Sequence, residues 1–281
     1  MNMLPAGCGD IAQRIPSKLA GKHAFFGLSR SHKPLNNAIT PVQGDLNDAP
    51  FLTRVFEQKF DVVIATLTPD TMSEQGYQKA YIDTSNALVK AISSAVYKPK
   101  LIIWVSSTSV YGQNQGAWVN EEAPANPKTY SGQALLTAEQ NILNCEIDSL
   151  VIRFSGIYGP GRTRMLDQVL AGIGSAKDPK QWSNRIHSED CAGVIAHLLE
   201  AHQQQKPLLP VYVATDCEPV PLYDVSEWLA KKLGVSLTER PASSRSVRRC
   251  SNKKMLDSGY QFQYPSFREG YTQLLQQLNL P

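Results

Sequence analysis

The sequence predicts an α/β chain built on a doubly wound parallel sheet, with a smaller domain appended toward the C-terminal end. Two patterns carry that expectation. Short β-branched runs without polar alternation, HAFFGLS (23–29), DVVIATL (61–67), LIIWVSS (101–107), SLVIRFS (149–155) and VYVAT (211–215), read as strands buried on both faces. Between them stand longer segments of helical period: IAQRIPSKLA, FLTRVFEQ, QGYQKAYIDTSNALVKAISSAV and SGQALLTAEQNIL. Such alternation requires crossover connections, which are right-handed and put parallel strands between two helical layers. LYDVSEWLAKKLG (222–234) and FREGYTQLLQQL (267–278) then follow without another convincing strand, hence the second domain.

A third observation comes from the first strand, where MNMLP runs into AGCGDIAQRI. Gly7, Gly9 and Ala12 make the pattern GxGxxA at a strand-to-helix turn, with Asp10 and Ile11 opening the helix. Gly7 permits the tight turn, Gly9 has no Cβ to block a pyrophosphate, and Ala12 lets the helix pack on the strand. That is the turn of a Rossmann dinucleotide-binding domain, although a glycine loop that only redirects the chain satisfies the same pattern. Pro5 removes a ladder donor, so a frayed first strand is expected. At the end of the second strand, about 20 residues past the glycines, a carboxylate would accept a ribose 2′-OH. The sequence has Ser29 and Arg30 there, which suit the 2′-phosphate of NADP. The expected cofactor is NAD(P), leaning to NADP; an exposed arginine at a strand end is the other reading.

Composition narrows the function classes. With 281 residues, 42% of them hydrophobic, the chain can bury a sizeable core without disulfides or metals. Lys and Arg number 28 against 25 acidic residues, a net +3, which is too dilute for a dedicated nucleic-acid binder. Five cysteines, an odd count with no CxxC pair, suit a reducing cytoplasm. The longest apolar runs are too short to cross a bilayer, and MNMLPAGCGD lacks a leader pattern, so a soluble, uncleaved protein with no membrane partner is expected. The five histidines are scattered, without ligand spacing for a metal.

Several segments together resemble the extended short-chain dehydrogenase/reductase superfamily, of the NAD-dependent epimerase/dehydratase type. GCGDIA resembles its dinucleotide turn, and GDLND (44–48) the segment whose aspartate, here Asp45 followed by Leu46, meets the adenine. ATLTPD (65–70), with Thr66 and Leu67, falls where the family runs along the nicotinamide, although many members carry small polar residues there. SSTSVYG (106–112) is similar to the strand end that carries the active-site hydroxyl, here Ser107. VIRFSGIYGPGR (151–162) and NRIHSEDCAGVI (184–195) resemble the passages into the substrate domain and back. The resemblance implies a dinucleotide-binding Rossmann domain over residues 1–160 and 186–216, and a small substrate-facing domain over 161–185 and 217–281. It also implies pairing into a homodimer through the helices flanking the catalytic tyrosine.

The family's catalytic pair is a tyrosine with a lysine four residues on. Tyr130 lies about 23 residues after Ser107, but position 134 is Ala134. In the complete motif the lysine holds the nicotinamide ribose and lowers the phenol pKa; without it a tyrosine is a hydrogen-bond donor and a poor base. Lys128, two positions before Tyr130, cannot share a helical face with a residue four after it. YSGQALLTAEQ with this incomplete pair is similar to the atypical YeeZ-like subgroup, as are EPVPLYDVSEWLAKKLG and YPSFREGYTQLL.

The remaining candidates have plain structural readings. Arg153 suits a structural ion pair, His187 a buried hydrogen-bonded histidine, and Glu121 with Glu122 a solvated loop. Cys8 is expected to face away from the phosphates. RSVRRCSNKKM (245–255), with Arg245, Arg248, Arg249, Lys253 and Lys254, could grip a phosphate or form a solvated face. Two functions remain open: an NAD(P)-dependent oxidoreductase or epimerase acting on the carbinol or carbonyl carbon of an unidentified, nucleotide-sugar-like small molecule, with Ser107 and Tyr130 at the reacting oxygen, or a catalytically silent NAD(P)-binding redox sensor, which Ala134 favours.

Overall fold

The computed structural model describes residues 1–32, 34–241 and 248–281. A seven-stranded sheet is built from β1 (Asn2–Ala6), β2 (Ala24–Ser29), β3 (Ile39–Gln43), β4 (Val62–Ala65), β5 (Leu101–Ser107), β6 (Ser149–Phe154) and β7 (Val211–Ala214). Their order is β7-β6-β5-β4-β1-β2-β3. The pairings of β1 with β2 and β4, of β2 with β3 and of β4 with β5 are parallel. The chain therefore starts mid-sheet, builds outward to β3, then returns to add β4 on the other side of β1. Loops leaving β1 and β4 diverge at that reversal and open a crevice at the carboxyl ends of the strands.

The first strand is not frayed. Met3, Leu4 and Ala6 are fully buried, although Pro5 stands in the middle of the sheet. The lost donor is accommodated on one side only: the register toward β4 runs unbroken from Met3 to Ala6, while toward β2 it skips Leu4 and Pro5. β3 carries Pro41 as well, and there the sheet tolerates it because β3 is an edge strand.

Clustering of contacts divides the chain into two units: Met1–Val110, Ala125–Arg153 and Ala192–Tyr212, and Tyr111–Pro124, Phe154–Cys191 and Val213–Pro281. In the first unit, α1 (Asp10–Arg14) gives way to a 3₁₀ turn at Ile15–Lys18, where Pro16 removes the next helical donor. The predicted ten-residue helix is thereby cut short. α2 (Ala49–Val55) is capped by Asp48, whose carboxylate accepts from the Phe51 amide. A helical run then opens at Glu74–Tyr77, widens into a π segment at Gln78–Asp83 and continues as α3 (Thr84–Ser93). α4 (Tyr130–Leu143) starts behind the N-cap Thr129.

Further along the chain come α5 (Arg164–Leu170), α6 (Ser188–Gln203), α7 (Leu222–Leu233), α8 (Lys253–Asp257) and α9 (Phe267–Gln277). In the second unit α5, α7 and α9 share a core of Leu166, Val169, Val225, Leu229, Phe267 and Leu274. Ser266 and Glu269 close a capping box on α9. Among the described residues, no helix is long and apolar enough to cross a membrane.

Candidate functional site

The turn after β1 has the geometry its glycines predict. Gly7 sits at φ +84°, and a Cβ there would lie 2.9 Å from the Thr66 carbonyl oxygen. The Gly9 amide donates to the Gly7 carbonyl at 2.7 Å, and the Thr66 hydroxyl donates to the same oxygen at 2.6 Å, tying the turn to the end of β4. Ile11 and Ala12 are buried, seating α1, and Asp10 forms an ion pair with Arg14 at 2.8 Å. Cys8 is fully buried, and its sulfur would lie 2.6 Å from a Cβ at Gly27 on β2. The thiol therefore faces the sheet.

Beside this turn lies a cavity of about 280 Å³. Gly7 from β1, Leu28, Ser29 and Arg30 from β2, Asp45, Leu46 and Asn47 from beyond β3, and Leu67, Thr68 and Asp70 from beyond β4 all contribute to its wall. Of the candidates read from sequence, Gly7, Ser29, Arg30, Asp45, Leu46 and Leu67 thus share one cavity. Gly9, Asp10, Ile11, Ala12 and Thr66 shape the turn without lining it. Gly7 closes on Thr66 and Leu67 so tightly that only a residue without Cβ leaves this wall intact.

Two charged groups in that wall, Asp70 and Lys79, were not singled out by sequence reasoning. Lys79 stands 3.8 Å from the Asp45 carboxylate, which also accepts from the Asn47 amide at 2.9 Å. Asp70 receives both terminal nitrogens of Arg30 in a forked pair. The hydrogen bonds from Arg30, ahead of its charge, hold the Asp70 carboxyl below the usual carboxylate range, and the same contact raises Arg30. Neither Asp70 nor Lys79 carries a local signal, since each enters the cavity only through the path of the chain after β4.

Ser107 and Tyr130 lie outside this wall. Ser107 ends β5 and accepts from the Ser109 amide at 3.2 Å. The first turn of α4 rests on the segment just beyond: a Cβ on Gly132 would fall 2.7 Å from the Ser109 carbonyl oxygen. Tyr130 is 41% exposed, and its hydroxyl donates to the Met72 carbonyl at 2.7 Å. Ala134 is buried and Lys128 is exposed. Beneath this end, Glu139 of α4 is almost fully buried; it accepts from the Ser106 hydroxyl at 2.5 Å and from Arg153 Nη2 at 2.6 Å. Arg153 is thus a structural partner that locks β5, β6 and α4 together.

The second unit holds a cavity of about 370 Å³ whose wall includes Arg162, Arg164, Arg185 and Arg240. Next to it Asp216, 3.7 Å from Arg185, is pushed up to about 7 because burial outweighs the attraction of that guanidinium. His187 is fully buried, accepts from the Glu189 amide at 3.2 Å and packs, tilted, against Tyr264 with ring centroids 4.0 Å apart. Glu121 is not solvated as expected: it accepts from the Val213 amide at 2.7 Å, giving a partner to a donor of the edge strand β7. Glu122 pairs with Lys254 at 2.7 Å. In the basic stretch, Lys253 pairs with Asp257 and Arg249 lies between the rings of Trp118 and Trp182, while Arg245 lies outside the described residues.

A doubly wound sheet with a glycine turn and a cavity at its point of reversal is the architecture of the Rossmann-type nucleotide-binding proteins. More closely, the chain belongs to the NAD dependent epimerase/dehydratase family, which matches residues 11–212. It is 37% identical to the protein YeeZ of Escherichia coli K12 over 142 residues, 50% of this chain and 49% of that one. The match thus spans about half the length of the curated relative. Among solved structures, a protein of Methylobacillus flagellatus described as an NAD-dependent epimerase/dehydratase superposes with a TM-score of 0.82 at 30% identity, covering 99% of this chain and 98% of the other. UDP-glucuronic acid 4-epimerase of Bacillus cereus, in complex with a fluorinated UDP-glucuronic acid and NAD, superposes at 0.81 with 20% identity over 99% and 100% of the two chains, a likeness of fold.

Proposed function

We propose that this chain binds NADP in preference to NAD, and that it acts as an oxidoreductase or epimerase on a carbinol or carbonyl carbon of a nucleotide-sugar-like molecule. One observation carries the reading: a single cavity gathers the glycine turn, the Ser29–Arg30 pair and Asp45 from successive strand ends. At about 280 Å³ it suits one nucleoside end of a dinucleotide rather than the whole. Asp45 and Asn47 would meet the base, Ser29 and Arg30 the 2′-phosphate, and the Gly7–Gly9 turn the diphosphate.

Bound in this way, the nicotinamide would supply hydride exchange with the substrate carbon. The chain's own contribution would be to orient the oxygen on that carbon with the Ser107 hydroxyl and to donate a hydrogen bond from Tyr130. The arginines around the second cavity offer the cationic surface that a substrate diphosphate needs. A second reading, a binding protein that turns nothing over, is favoured by buried Ala134 in the lysine position and by the engagement of the Tyr130 hydroxyl with Met72.

The test is thermal unfolding with each of NAD, NADH, NADP and NADPH, followed by turnover on a panel of nucleotide sugars. A ligand that binds only the native state raises Tm with its concentration. The largest shift is expected with the phosphorylated pair, and none with any of the four would defeat both readings. Binding without turnover would select the second.

A further inference from the structure

The segment between β4 and the helical run, residues 67–73, is tied down at two points that face different parts of the first unit. Asp70 is forked onto Arg30 at the end of β2. Two residues on, the Met72 carbonyl accepts the Tyr130 hydroxyl of α4 at 2.7 Å, and Tyr130 packs edge-on against Tyr77, with ring centroids 5.6 Å apart. Across the second tie, the Thr71 hydroxyl is 2.8 Å from that of Ser73, and Gly76 leaves no room for a side chain against the Thr71 carbonyl. The strap is thus short and held closely at its far end, so Asp70 and Met72 cannot be displaced far independently. Leu67, Thr68, Asp70 and Thr71 also form one side of the nucleotide-sized cavity.

The end-on fork of a guanidinium, one N–H from each terminal nitrogen, is satisfied in the same way by carboxylate and phosphate oxygens. While Asp70 holds that fork of Arg30, a phosphate cannot take the same edge. We propose that Asp70 is an internal competitor for the phosphate site of Arg30, and that displacing it loosens the strap from the Tyr130 hydroxyl. This rests on the reading of the cavity as the adenosine end of a cofactor site. A ligand bearing a 2′-phosphate opens the latch and frees the tyrosine, whereas one without it leaves Asp70 in place. The two ends of the strap are therefore coupled, and coupling between binding events is reciprocal: weakening the tyrosine tie eases phosphate binding at the other end.

The experiment titrates adenosine 2′,5′-bisphosphate and 5′-AMP, neither of which carries a nicotinamide, into wild type, Asp70→Asn, Tyr130→Phe, the double variant and Arg30→Ala. Because the Arg30–Asp70 pair is exposed, its removal is expected to tighten the bisphosphate by about two- to fivefold, with 5′-AMP unchanged. Tyr130→Phe is expected to tighten the bisphosphate in the same direction and by less, and the double variant to gain less than the product of the two. Arg30→Ala should lose the distinction between the ligands.

Bisphosphate binding that Asp70→Asn leaves unchanged or weakens, while Arg30→Ala impairs it, would overturn the competitor role and leave the cavity reading standing. A gain from Asp70→Asn with none from Tyr130→Phe would overturn the coupling to the tyrosine. Failure of wild type to bind either ligand would remove the cavity reading itself, and the latch with it.

Discussion

The two ends of the first unit were built to different standards of completeness. At the β1–β4 end, backbone shape does most of the work: a positive-φ glycine, a strand order that reverses at β1, and a wall assembled from four loops. At the β5–α4 end, chemistry depends on single side chains, and one of them, the lysine expected at position 134, is an alanine. Yet the scaffold under that end is intact, since Glu139 still clamps Ser106 and Arg153. A fold can lose a catalytic cation in one substitution and keep its nucleotide cradle, because the cradle is distributed over the backbone and the cation is not.

Breaking that scaffold should produce the largest effect. Glu139→Ala takes away the carboxylate that holds the buried Arg153 guanidinium, which is expected to cost about 3–5 kcal/mol of unfolding free energy. Denaturant titration would show it as a large fall in midpoint; a cost under about 1 kcal/mol would mean that the clamp does not hold the tyrosine end.

Asp216 supplies the contrasting buried carboxylate, one whose pairing with Arg185 at 3.7 Å and whose bond from the Glu218 amide at 3.3 Å do not offset its burial. Its folded value of about 7 lies above the ordinary 3.8, so the native state binds the proton more tightly than the unfolded chain. Stability from this group is full below about pH 4 and is lost as pH rises to about 7, by on the order of a few kcal/mol. Asp216→Asn is expected to flatten that part of the slope; parallel pH profiles for variant and wild type would contradict the assignment.

At the cradle, Gly7→Val places a side chain at φ +84° against the Thr66 carbonyl. The expected cost is about 1–3 kcal/mol of stability, with loss of the dinucleotide-induced rise in Tm. Arg30→Ala should be gentler: a fold as stable as wild type, NADP weakened by about tenfold or more, and NAD spared, as isothermal titration would measure. Equal loss of both would remove the phosphate assignment and with it the contrast between the two dinucleotides.

The same division governs what the sequence made legible. The glycine turn, Ser29 and Arg30 could be read because strand ends in this topology converge by rule, whereas Asp45 was legible only through the resemblance of GDLND to the family's segment. Pro5 misled in the direction of fraying: a parallel strand points alternate residues to opposite neighbours, and the proline falls on the β2 side only. ITPVQ was passed over as a strand because it is short, half-exposed and interrupted by Pro41, features an edge strand accepts. Pro16 shortened α1 through a local rule that the helical period had hidden. Asp70 and Lys79 reach the cavity from a loop and a helix whose placement is set by packing, so no spacing in the chain announced them. The same is true of the tie between Tyr130 and Met72, which joins residues from elements far apart in sequence.

Amide hydrogen exchange with and without saturating NADP tests the central claim most directly. The account expects slowed exchange at the Gly7–Asp10 turn, at Ser29 and Arg30, and at Asp45 to Asn47, the amides around the cavity in the first unit. Unchanged exchange at all three segments under saturation, with protection appearing elsewhere, would contradict it.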